Sequence, residues 1–196
     1  MKYFVTALSL FIAKQVPAQE LKLFVDYGYA ITTMAGNKAI MLQTGVSGGR
    51  EWRLGKKFYL SVLAGGSLLR NHYTNNTGDA VFNRKYFVML PVLVKKYYPL
   101  SKRSSGFVEA GAAPVYYFLD RKELNNGGVI WLEKKNNLGW NGAGLLFIGF
   151  RTMITPVLSF DIGLLGQKDL VENYKRSQDR IRTDRTSLAI GFSQKF

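Results

Sequence analysis

The chain has 196 residues, with 27 Lys and Arg against 13 Asp and Glu, for a formal charge of +14. No cysteine is present, which excludes thiol catalysis, Cys-ligated metal, disulfides and a lipid-modified N-terminal Cys. Mean hydropathy is −0.05, too low for a bundle of membrane helices, yet unremarkable for a barrel whose lipid-facing and lumen-facing residues alternate. Aromatic residues are abundant, with 11 Tyr and 13 Phe, and so is Gly, at 20. That mixture suits a β protein with ring-rich faces and crowded backbones.

The first element is an export signal. Lys2 precedes an uncharged apolar stretch over 3–13, and Val16-Pro17-Ala18 offers a cleavage site. The stretch is too short to cross a bilayer as a helix. Residues 1–18 are therefore expected to be a signal peptide and 19–196 a single barrel domain. Export makes a nucleic-acid partner improbable despite the positive charge.

From Leu21 the period becomes two. Leu21, Leu23, Val25, Tyr27, Tyr29 and Ile31 share one face, and Lys22, Phe24, Asp26, Gly28 and Ala30 the other. Strand two is expected at 39–48, with Ile40, Leu42, Thr44 and Val46 outward, and strand three at 57–69, with Phe58, Leu60 and Val62 outward. Strand four, at 85–97, breaks the pattern because Phe87, Met89 and Leu93 would face inward. Strand five follows at 107–118, strand six at 138–150 and strand seven at 157–167. The last strand, 187–196, turns its even face outward: Leu188, Ile190, Phe192 and Phe196, interrupted by Gln194. Eight strands put both termini on the periplasmic side.

Short connections at 49–56, 99–106 and 152–156 are expected to alternate with longer polar ones at 71–84, 119–137 and 168–184, as periplasmic turns alternate with external loops. The external connection at 32–38 is short. Tyr27, Tyr29, Tyr97, Tyr98, Tyr116, Phe150 and Phe196 lie near strand ends, where aromatic girdles form. The fold class is thus an all-β, eight-stranded, antiparallel up-and-down transmembrane barrel.

The segments LPVLVKKYYPL at 90–100, FVEAGAAP at 107–114 and SLAIGFSQKF at 187–196, with the signal ending in VPAQ, resemble the PorT-like outer-membrane β-barrel proteins of Bacteroidetes-type bacteria. The resemblance covers nearly all of 19–196 and implies an architecture related to the OmpA and OmpX barrels. It implies the cell outer membrane as location, and Phe192 and Phe196 as the terminal signal read by the outer-membrane assembly machinery. Some members of the family assist protein secretion.

Six charged residues would point into the narrow lumen: Lys22, Asp26, Lys95, Glu109, Asp161 and Lys195. Buried charge is costly unless paired, so these are expected to form an ion-pair network that plugs the barrel. The other cations fall in two sets. Arg50, Arg53, Lys56, Lys102 and Arg103 lie at the short turns. Arg70, Arg84, Arg121, Lys122, Lys134, Lys135, Lys175, Arg176, Arg180, Arg182 and Arg185 lie at the loops, where they could meet lipopolysaccharide phosphates.

Candidate chemistry is sparse. His72 is the one histidine; with Asp79 or Thr74 it could be drawn as a base. One His and no Cys cannot make a zinc set, and GVSGG at 45–49 lacks the Lys-Ser or Lys-Thr of a phosphate loop. No catalytic, cofactor or metal residues are assigned. The expected function is a non-enzymatic, monomeric outer-membrane barrel acting in envelope structure, surface interaction or assisted secretion, with membrane lipids as partners. The alternatives are a lipid-modifying outer-membrane enzyme and a soluble exported, lipocalin-like binder of small ligands.

Overall fold

The computed structural model describes residues 20–34, 37–74, 78–126, 129–173 and 181–196. The signal segment, 1–18, lies outside the described residues. The alternating stretches form nine strands: β1 (Glu20–Met34), β2 (Asn37–Arg53), β3 (Phe58–Thr74), β4 (Ala80–Met89), β5 (Val92–Pro99), β6 (Ser104–Asn126), β7 (Val129–Met153), β8 (Leu158–Asn173) and β9 (Ile181–Lys195). All neighbours are antiparallel, and β1 pairs with β9, so the sheet closes. Closure leaves the membrane-spanning part without a free edge.

β4 and β5 are one stave of the barrel, since both pair with β3 on one side and β6 on the other. The ladder is interrupted at Leu90–Pro91, where proline has no N–H to donate. Its carbonyl still accepts from Leu63 N at 2.9 Å, and Leu90 N donates to Pro114 O at 3.1 Å. The count of staves is therefore eight. Stepping sideways through paired residues, Trp140 leads by way of Tyr116, Val88, Gly66, Val46, Val25, Ile190 and Ile162 back to β7 at Phe150. That offset along β7 is the shear, which tilts the strands by about 35–45° and leaves a lumen just wide enough for side chains.

Apolar residues face outward all round. Leu23, Val25, Ile40, Val46, Val92, Val94, Ile148, Leu164, Leu188 and Ile190 are all exposed. A band of hydrocarbon around the barrel would remove this apolar surface from water on every side. The failed alternation of strand four has a physical cause. Phe87, Met89 and Leu93 do face inward, where they join Met41, Leu63, Leu69, Val115 and Leu145 in a buried apolar layer. A second layer is aromatic: Phe24, Phe107 and Phe147 meet edge to face at 5.7 and 4.9 Å. Glycines make room for those rings. Gly149 and Gly163 are directly paired, and a Cβ on either would come within 2.7 Å of the Phe107 or Phe147 ring.

Three expectations need correction. The polar segment 119–137 is not a loop, because β6 and β7 stay paired from Asp120↔Lys135 up to Asn126↔Val129. A hairpin standing clear of the membrane has water on both faces, so its strands carry polar residues on both and lose the alternation. The strands likewise reach into 71–84 and 168–184, as far as Thr74, Ala80, Asn173 and Ile181. Tyr97 does not belong to the outer girdle: its ring lies in the lumen, 6.2 Å from Phe107. The three short turns at 54–57, 100–103 and 154–157 are tighter than expected and share one closure. In each, the first turn N–H bonds the first carbonyl of the next strand, at 2.9, 3.0 and 2.9 Å.

Candidate functional site

The inward face of the turn-side half is built from charge. Lys22, Glu51, Lys95, Glu109, Arg151 and Asp161 come from β1, β2, β5, β6, β7 and β8, and their side chains are buried. Lys22 pairs with Glu51 and lies 3.8 Å from Glu109, and it donates to Ser61 Oγ at 3.0 Å. Lys95 is 3.5 Å from Glu109, directly across the β5–β6 ladder, and 3.8 Å from Glu51. Arg151 binds three groups: Asp161 through Nε at 2.6 Å and Nη2 at 2.8 Å, Glu20 through Nη1 at 2.6 Å, and Ser193 Oγ at 2.8 Å. Tyr97 donates its hydroxyl to Glu51 at 3.0 Å. The charges are also roofed by rings: Lys95 lies 3.8 Å from the Phe107 centroid and Arg151 4.8 Å from that of Tyr97. Desolvated cation–π contacts and pairing together offset the cost of burying these ions.

Above the aromatic layer lies a second polar cluster. Gln43 donates to Asp26. Asp169 accepts from Tyr117, Asn141 and the Thr183 backbone at 3.3, 3.1 and 3.0 Å. Arg185 stacks over Phe87 at 4.1 Å and interacts electrostatically with Asp169 and Asp26. Several polar atoms here lack a close hydrogen bond, among them Ser67 Oγ and the Arg185 nitrogens. Such a lining suits water; in the lower network Lys95 Nζ and the Glu109 oxygens are ion-paired but likewise lack a hydrogen-bond partner.

Of the six residues expected in the lumen, Lys22, Lys95, Glu109 and Asp161 meet in the lower network. Asp26 is buried too, but belongs to the upper cluster. Lys195 is not in the lumen. It is exposed at the end of β9, on the rim of a mouth of about 520 Å³ that Arg53, Lys102 and Arg103 also line. The strand ends there, so the alternation no longer dictates where the side chain goes. Arg185, grouped with the loops, is instead 3% exposed inside the barrel. Lys175, Arg176 and Arg180 lie outside the described residues, as does the side chain of Arg182. Glu20, Glu51 and Arg151 were not expected in the network. The signal for two of them was parity: with Val46 and Phe150 outward, Glu51 and Arg151 fall inward once β2 and β7 are extended.

At the opposite end, His72 stacks face to face on Phe82, with centroids 4.3 Å apart, on the outward side of the β3–β4 hairpin. Phe192 is outward and lies 5.5 Å from Phe160, while Phe196 is 82% exposed.

No family model matches the chain, and no curated protein matches it in sequence. Solved structures do match in fold. The outer membrane protein OprG from Pseudomonas aeruginosa is 14% identical, with a TM-score of 0.51, over 91% of this chain and 96% of that one. Neisserial surface protein A is 13% identical, with a TM-score of 0.47, over 90% and 97%. Ail, the attachment invasion locus protein of Yersinia pestis, is 9% identical, with a TM-score of 0.46, over 90% and 99%. The likeness to OprG, together with the closed sheet and the apolar exterior, identifies the fold as a transmembrane β-barrel of eight staves.

Proposed function

We propose that this chain is an outer-membrane protein whose barrel is a sealed anchor, presenting the β3–β4 and β6–β7 hairpins at the cell surface. The observation that carries this reading is the buried Lys22–Glu51–Lys95–Glu109–Arg151–Asp161 network, roofed by the Phe24, Phe107 and Phe147 rings. Paired charges with aromatic side chains packed above them leave no wet path for solutes. The apolar exterior and the resemblance to PorT-like proteins support the location. The short turns would then face the periplasm and the long hairpins the medium. A non-enzymatic role in envelope structure or surface interaction suits hairpins carried on a sealed barrel. Assisted secretion would use the barrel as a fixed platform rather than as a conduit.

The test is twofold. Cell fractionation should find the chain in the outer membrane, migrating differently on gels when boiled and unboiled. The purified barrel in planar bilayers should give no steady conductance. A stable ohmic current from the folded monomer would sink the sealed-anchor reading.

A further inference from the structure

Four basic residues stand side by side across the outer wall. Arg70 on β3 is directly paired with Arg84 on β4, Arg84 with Arg121 on β6, and Arg121 with Lys134 on β7. Parity puts all four outward: Leu69 and Lys85 beside them are buried in the lumen, and the bulge at Tyr117/Leu119 turns the odd residues of upper β6 outward. Side chains of Arg84 and Arg121 are 41% and 42% exposed. Adjacent strands are about 4.8 Å apart, so the row spans roughly 15 Å.

Like charges directly opposite each other destabilise a sheet. Three successive pairs of this kind are a standing cost. Glu123 on the next outward row offsets part of it, with its Oε1 2.7 Å from Arg121 Nε and 3.9 Å from Arg84 Nη1. One carboxylate among four cations leaves the row strongly positive.

Just below the row lies a ring-bearing belt. Tyr86 and Phe118 meet at 6.1 Å, and Tyr116 and Trp140 at 4.9 Å. Tyr and Trp with a polar edge mark the headgroup level of a bilayer. The row thus stands on the water side of that level, at the end of the barrel with the long hairpins. Because the strands tilt, a line of paired residues climbs across the wall. Arg70 lies lowest, beside the aromatic belt, and Lys134 highest.

We propose that this row is a binding site for the phosphorylated headgroup of an outer-leaflet glycolipid. Guanidinium groups bind phosphate with two parallel hydrogen bonds, and three of the four cations are arginines. The inclined row meets anionic groups at more than one depth, which a headgroup with several phosphates supplies. The assignment to the outer leaflet rests on the orientation given under Proposed function; the affinity for phosphate does not.

The test uses the full chain refolded in neutral detergent micelles, with lipid A bearing both phosphates or fully dephosphorylated as probe, and native mass spectrometry as readout. The parent should retain the phosphorylated form far better. Arg84→Gln with Arg121→Gln should weaken retention about ten-fold or more, the change expected from losing one charge-assisted contact. Arg84→Lys with Arg121→Lys should recover much of it. Lys102→Gln with Arg103→Gln, the same charge change at the other end, should leave it unchanged. Equal retention of the two lipid forms by the parent, or equal loss in the Lys102/Arg103 variant, overturns the site. Equal retention of phosphatidylglycerol overturns the glycolipid as its occupant. A parent that stays soluble and folded without detergent would instead overturn the membrane reading, and gel migration before and after boiling shows which variants are folded.

Discussion

Arg151 and Asp161 sit directly opposite each other on β7 and β8, and the guanidinium grips the carboxylate through two hydrogen bonds of 2.6 and 2.8 Å. The same guanidinium reaches Ser193 on β9 and Glu20 on β1, so one cation holds four consecutive staves together: β7, β8, β9 and β1. Removing it strands two buried acids. Arg151→Met should cost about 3–5 kcal/mol, the usual penalty for breaking a buried pair. Arg151→Lys keeps the charge but loses the fork, and should cost less. Urea unfolding in detergent, followed by tryptophan fluorescence, measures both.

The directly paired glycines Gly149 and Gly163 define where the lumen is full. A valine at Gly149 would drive into Phe107, and overpacking of this kind costs about 1–3 kcal/mol or more. Gly149→Val should therefore lower the yield of heat-modifiable barrel. Pairing it with Phe107→Leu should restore only part of that yield, because it relieves the ring contact while the Ile162 carbonyl and Gly163 Cα still crowd the new Cβ.

On the outer wall, depth should set the cost of charge. Ile190 pairs with Val25 and Ile162 in the middle of the apolar band. Ile190→Arg should cost about 2–4 kcal/mol, whereas Ile154→Arg, in the turn after β7, should cost roughly 0–1 kcal/mol. Equal costs in lipid bilayers would contradict the placement of the band.

Phe196 is 82% exposed, so the folded barrel gains little from its ring. Phe196→Ala should leave stability in detergent unchanged while lowering the amount assembled in cells. A matching loss in both measurements would make the residue a packing element instead.

Trimming the β6–β7 hairpin to a short turn joining Asp120 to Lys135 should leave the barrel folded. Among the described residues, the strand pairings beyond that pair reach the rest of the fold through upper β4. The readout is retention of heat-modifiable migration and an unchanged urea midpoint.

Period-two alternation made the staves and their inward faces legible in the sequence, down to Lys22, Lys95, Glu109 and Asp161. What stayed hidden had two causes. Extramembrane hairpins have solvent on both faces, so 119–137 carried no alternation, and its polar residues resembled a loop. Strand ends were the second cause. Glu51, Arg151 and Arg185 obey the parity of their strands but lie beyond where the apolar run stops. Lys195 marks the limit of parity itself, since at the last paired position, on the rim of the mouth, the side chain can turn to water. Strand four was hard to read because its inward face is Phe87, Met89 and Leu93, so both faces are apolar, as in any strand buried on two sides.

Pairing between β1 and β9 carries a consequence for biogenesis. The residues that complete the seam, from Glu20 against Lys195 at one end to Met34 against Ile181 at the other, belong to the first and last strands of the barrel to be translated. Until β9 arrives, β1 presents a full row of unmet backbone donors and acceptors, and Glu20 waits for a guanidinium 131 positions downstream. Nothing short of the whole chain can be sealed. In the outer-membrane reading proposed above, the polypeptide would travel to the membrane open, with both raw edges shielded from one another and from other chains, and lock only once, on insertion.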